Sequence, residues 1–165
     1  INNQKKSKEI ANIILHIPYP VVLILIYKEQ IQINISPKRL NITDVTKLVV
    51  EEQYYTNWID TNNLTELSSE FLSSLDSINH PFTNFKDFFT SLVKSIIAFN
   101  ASEISGKFES KEDTRVLLQD IKNIEAIIQD IKSKIQKETN FNDKVKLNID
   151  LKTQKDRLEK LKEKL

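Results

Sequence analysis

The spacing of apolar and polar side chains alternates between helical and strand periods along the chain, and these switches mark out its elements. Residues 3–15, NQKKSKEIANIIL, bring Ile10, Ile13 and Ile14, with Ile17 just beyond, near one helical face and leave Lys5, Lys6 and Lys8 upstream in solvent. Pro18 and Pro20 disfavour helix in the residues before them, so IPYP at 17–20 ends it. VVLILIY at 21–27 is apolar at every position and too short to span a membrane, which predicts a strand buried on both faces. After the polar pair Lys28 and Glu29, QIQINIS at 30–36 alternates strictly. Ile31, Ile33 and Ile35 fall on a core face, and Gln30, Gln32 and Asn34 on a wet one. The polar pair is short enough for a hairpin turn, although it lacks an Asn-Gly signal. Pro37 removes a donor and ends the ladder, and residues 38–41 begin a connection. A third strand is expected over residues 47–58, carrying Leu48, Val49, Val50, Tyr54, Tyr55 and Trp58. So small a sheet needs helices to cover it.

Two amphipathic helices are expected to do so. The first, over 64–75, runs through Leu64, Leu67, Phe71, Leu72 and Leu75, with Thr61 or Asn63 as its N-cap. The second, over 84–104, carries Phe85, Phe88, Phe89, Leu92, Val93, Ile96, Ile97 and Phe99, the broadest apolar face in the chain. Burying such side chains contributes on the order of 1.5–3 kcal/mol each before entropy is subtracted. Gly106 marks the end of this helix. Beyond it the stripe narrows. Leu117, Ile121, Ile124, Ile128, Ile131 and Ile135 follow a 4-3 spacing, and Leu147, Leu151, Gln154, Leu158, Leu161 and Leu165 repeat it. Two such helices joined by TNFN at 139–142 predict an antiparallel coiled-coil hairpin, with Gln154 a polar guest that fixes register. The expected organisation is an α+β domain over 1–110 and a helical hairpin over 111–165. The chain opens on Ile1, inside a helical pattern and with no methionine, so a further N-terminal part is expected before it.

Composition removes several chemistries. There is no cysteine, hence no disulfide framework and no thiolate metal site. A single glycine leaves no Gly-rich phosphate loop. No signal peptide or apolar membrane span is present, which fits a cytoplasmic protein. Net charge is +1, too small for a strong overall field. The only histidines, His16 and His80, sit before a turn and before a proline, and read as structural. Asp44 and Asp60 flank the third strand and Glu51 and Glu52 lie within it. The adjacent glutamates would point to opposite faces, which makes them poor partners for one ion, and the arrangement of metal-dependent nucleases, an acid followed on the next strand by Glu-x-Lys, does not appear. No catalytic residue, metal ligand or cofactor is assigned.

Two contact surfaces remain. Lys28, Lys38, Arg39 and Lys47 could gather near strand ends beside Tyr54, Tyr55 and Trp58, which combines phosphate binding with base stacking. The other is the hairpin stripe of Leu117, Ile121, Ile124, Ile128, Ile131, Ile135, Leu147, Leu151, Leu158 and Leu161, which could hold a protein partner or a second copy of the chain.

IPYPVVLILIY, ISPKRLN and VVEEQYYTNWI resemble the bacterial family of domain of unknown function 4391, as do the helix ending ASEISGKF and the final KETNFNDKVKLNIDLK. Members of that family have no established activity and lie beside helicases and methyltransferases of defence loci, which implies a DNA-related accessory role. The family's basic pair after the second strand is matched by Lys38 and Arg39, preceded by Pro37 where an aromatic is commoner. The reading that follows is a non-enzymatic interaction module of a bacterial defence or DNA-processing system, docking through its hairpin. The alternative is a nucleic-acid-binding or nuclease-like domain whose active residues lie in the expected N-terminal part and near the basic strand ends.

Overall fold

Strands β1 (Val21–Tyr27) and β2 (Gln30–Ser36) form the expected antiparallel hairpin, with Val21 opposite Ser36 and Tyr27 opposite Gln30. The computed structural model describes residues 3–43, 48–50, 52–109 and 113–165. The turn is only two residues long and holds Lys28 at φ 52°, a left-handed conformation at the position where a type II′ turn ordinarily carries glycine. The chain divides into two compact units, Ile1–Asn100 and Ala101–Leu165.

The third strand departs from expectation, because the stretch assigned to it splits. Past Pro37 the chain resumes as β3 (Lys38–Leu40), which pairs antiparallel with β4 (Leu48–Val50) in a separate two-stranded ladder. The other side of β2 is taken by β5 (Tyr54–Tyr55) and β6 (Ile59–Asp60). Asn34 lies opposite Tyr55 and Ile31 opposite Ile59, so Gln32 and Ile33 face three residues, Thr56, Asn57 and Trp58. That surplus residue is a β-bulge. Thr56 holds it closed. Its N–H donates to the Ile33 carbonyl at 3.0 Å, its Oγ1 accepts from the Ile33 N–H at 3.1 Å, and its carbonyl accepts from Gln32 Nε2 at 2.9 Å.

Both faces of this sheet are covered, which overturns the wet-face expectation for Gln32 and Asn34. Helix α1 (Asn3–Ile14) packs on β1, and a small cavity beneath it is lined by Ala11 and Ile14 of the helix with Leu23, Asn34 and Ser36 of the sheet. Asn34 and Ser36 are therefore buried and Gln32 half-buried. The helix buries Ser7 and Ala11, small residues that allow a close approach, while Ile10, Ile13 and Ile17 of the predicted apolar face are exposed.

The opposite face carries the main core. Ile33, Ile35, Tyr54 and Ile59 of the sheet are buried, as are Phe71 of α2 (Glu66–Ser74) and Phe89, Ile96 and Phe99 of α3 (Phe85–Ser105). Phe71 stacks on Phe99 at 4.3 Å between centroids, and Asn100 Nδ2 donates to the Tyr55 carbonyl at 3.0 Å. This cover stops short of β1. Val22, Ile24 and Ile26 share the core face yet stay exposed, Ile26 at 74%. The expectation of burial on both faces thus fails because β1 is an edge strand, paired only with β2 among the described residues.

Helix ends follow local chemistry. Thr65 caps α2, accepting from Ser68 N at 3.1 Å, in place of the expected Thr61 or Asn63. Asn84 caps α3 by accepting from Asp87 N, and Asp87 returns the bond by accepting from Asn84 Nδ2, both at 2.8 Å. Gly106, at φ 76°, ends α3. In the second unit α4 (Thr114–Lys137) and α5 (Phe141–Lys162) lie in contact as a helical hairpin. The result is the expected α+β class, a small antiparallel sheet with helices and then a hairpin.

Two outcomes follow from the sheet. Thr56→Val removes the acceptor of a buried N–H and should cost about 1–3 kcal/mol in chemical denaturation, whereas Thr56→Ser should retain most of the stability. Lys28→Gly relieves a left-handed side chain and should stabilise the unit by about 1 kcal/mol, read as a raised denaturation midpoint.

Candidate functional site

The hairpin is built by two stripes. Ile121, Ile124, Ile128 and Ile131 of α4 are buried, and Leu117 and Ile135 at the ends of that row are half-buried. Leu147, Leu151, Leu158 and Leu161 of α5 are half-buried in turn. Asn140 caps α5, accepting from Asn142 N at 2.9 Å, and Glu138 Oε1 accepts from Thr139 N and Asn140 N, so the turn is shorter than the expected 139–142 loop. The three-residue turn returns α5 along α4, and Lys162 of α5 pairs with Glu125 of α4 at 3.4 Å. The row expected to receive a partner is thus largely covered, and Gln154 shares it with its Oε1 buried and unbonded among the described residues.

A second row on α5 is open. Phe141, Val145 and Ile149 are spaced by four and exposed at 77%, 41% and 61%. Residues at i, i+4 and i+8 lie along one side of a helix, and here that side is turned away from Leu147 and Leu151. The sequence held this row, but the stronger heptad pattern beside it masked it.

The basic and aromatic residues do not form one patch. Lys28 sits at the β1–β2 turn, 5.6 Å from the Tyr27 ring centroid. Lys38 and Arg39 follow the far end of β2, a strand of seven residues or roughly 23 Å away. Lys38 donates to the Ile17 carbonyl, and partial burial holds its ammonium below the ordinary lysine range. Arg39 is exposed and already engaged within the structure. Lys47 lies outside the described residues, as do Asp44 and Glu51. Tyr54 is buried in the core with its hydroxyl donating to Glu52 Oε2 at 2.9 Å. Only Tyr55 and Trp58 come together, on the α1 side of the sheet.

There they line a cleft of about 220 Å³ with Ser7, Lys8 and Ala11 of α1, Gln32 and Asn34 of β2, and Gln53 and Asn57. A second cavity of about 260 Å³, lined by Lys6, Ser7, Ile10, Leu25, Ile26 and Tyr27, shares Ser7 and Trp58 with it. The indole N–H of Trp58 is buried with no acceptor among the described residues. Strand alternation brings Gln53, Tyr55 and Asn57 to one face beside Gln32 and Asn34. In the sequence such residues read as solvated, and nothing local shows that a helix arches over them.

Both histidines take part in local hydrogen bonds. His80 is buried. Ser91 Oγ gives its hydrogen to the Phe88 carbonyl, so the imidazole donates to Ser91 from Nδ1, at 2.7 Å. His16 Nδ1 lies 3.1 Å from the Asn12 carbonyl and closes the end of α1. Asp60 Oδ1 accepts from Asn62 N and Asn63 N. Among the described residues no group of three or more His, Asp or Glu side chains gathers to hold a metal ion, and no helix is long and apolar enough to cross a membrane.

A family model described as Domain of unknown function (DUF4391) matches residues 1–158. No curated protein and no solved structure matches the chain.

The seam yields one prediction. Gln154→Leu replaces a buried, unbonded amide oxygen with an apolar side chain of similar length. It should stabilise the hairpin by about 1 kcal/mol, seen as a higher urea midpoint by circular dichroism.

Proposed function

The chain belongs to the family described as Domain of unknown function (DUF4391), whose description assigns no activity, so we propose its function from geometry: a non-enzymatic protein-interaction module that docks through its C-terminal hairpin. The observation that carries this reading is the open row of Phe141, Val145 and Ile149. The hairpin's own seam already covers its heptad residues, so docking falls to the outer side of α5. A partner helix laid along that row would bury three large side chains, each contributing on the order of 1.5–3 kcal/mol against the cost of association. Short ion pairs on the flanks, Lys134 with Asp130 and Lys146 with Asp143, are exposed and set solubility rather than affinity. The setting we propose is a cytoplasmic bacterial defence or DNA-processing complex. The alternative of nucleic-acid contact concerns the first unit and is compatible with docking through the hairpin of the second.

The test replaces Phe141, Val145 and Ile149 together by aspartate. All three are exposed, so helicity and the urea denaturation midpoint should change little. Capture of a protein partner in nuclease-treated extract, or self-association in sedimentation, should weaken by at least about tenfold. Undiminished capture and self-association by the triple variant would rule out docking through this row.

A further inference from the structure

The cleft under α1 selects its ligand by what lines it and by what does not. Among its described lining residues there is no carboxylate and the one cation is Lys8, so they disfavour cations and tolerate neutral or anionic groups. Gln32, Asn34, Gln53 and Asn57 present amides. Each amide holds a donor and an acceptor side by side, the pattern that pairs with the edges of planar heterocycles. An apolar ligand would bury the Gln53 amide and the remaining positions of Gln32 and Asn34 with nothing to bond to. Tyr55 and Trp58 add aromatic faces.

Two of the amides are already oriented. Gln32 Nε2 donates to the Thr56 carbonyl at 2.9 Å, which leaves Oε1 as an acceptor. Asn34 Oδ1 accepts from Ser36 Oγ at 3.1 Å, which turns its NH₂ the other way. The Gln53 side chain has no hydrogen-bond partner among the described residues. The cleft's volume, about 220 Å³, falls below the usual range for drug-sized ligands and suits a single planar ring system. Lys8 is exposed at the rim, within reach of a group attached to that ring.

We infer that this cleft binds one unpaired nucleobase carrying a phosphate. The amides read the base edge, Tyr55 and Trp58 offer stacking surfaces, and Lys8 meets the phosphate. The base comes either from a free nucleotide or from a single strand, and the chemistry at the cleft is the same. This inference concerns the first unit and does not depend on hairpin docking.

Trp58 is the only tryptophan in the chain, so its fluorescence reports directly on the cleft. The full chain is titrated with the four ribonucleoside monophosphates, the corresponding nucleosides, and short single-stranded DNA and RNA homopolymers. At least one phosphorylated probe should give a saturable change in emission, with a lower midpoint than its nucleoside. Saturation by monophosphates identifies a free nucleotide, and saturation by oligonucleotides alone identifies a strand. Gln53→Ala should raise the midpoint by at least about tenfold, and Lys8→Glu should erase the advantage of nucleotide over nucleoside. Neither side chain has a hydrogen bond among the described residues, and circular dichroism is used to check that both variants are folded. Absence of a saturable change with every probe, or unaltered midpoints in both folded variants, overturns the inference.

Discussion

The first unit depends on how Thr56 is tied to β2. All three of its polar groups bond to Gln32 or Ile33, and the residue is fully buried. A bulge ordinarily weakens a ladder, because one strand carries a residue with no opposite number. Here a side-chain oxygen supplies the acceptor that the missing backbone group would have provided. The third strand can therefore change register between Tyr55 and Ile59 without leaving Ile33 unbonded. That change sends Tyr54 and Ile59 into the α2–α3 core and Tyr55 to the α1 side with Gln53 and Asn57. Core and cleft are two products of one irregularity.

What could be read from the sequence is what a local period encodes. The apolar run at 21–27, the alternation at 30–36, the phenylalanine-rich helix and the twin heptads each report their own element, and each is present. A period reports contrast between faces, and it does not report what covers either face. Hence Gln32 and Asn34 looked solvated although a helix lies over them, and Val22, Ile24 and Ile26 looked buried although the cover stops one strand short. The isoleucines of α1 misled for the same reason. Ser7 and Ala11 make the contact because small side chains let the helix settle close to the sheet.

The candidate sites show the same division. Stacking residues and lysines were identifiable by type, but grouping them required strand order and register. Lys28 and Lys38 lie at opposite ends of one strand, while Lys8, far away in sequence, shares a cleft with Tyr55 and Trp58. On the hairpin the heptad residues hold the two helices together, and the weaker row of Phe141, Val145 and Ile149 remains for other uses. A regular pattern marks what the fold consumes, and a surface available to partners is sought among the positions outside it.

Among the described residues β1 pairs only with β2, and this edge position matters for the chain when it is not folded. Val21–Tyr27 holds no charge, no proline and no glycine, and its side chains are mostly β-branched or aromatic. Segments of that composition form dry, interlocked cross-β stacks between identical copies once released. Proteins usually guard such edges with lysine, proline or a bulge, and this strand contains none of them. In the native state β2 occupies only one side of it. Unfolding frees both sides, so heat denaturation competes with fibril-like association. The apparent melting temperature then becomes a rate, set by scan speed and protein concentration as much as by the free energy of the fold.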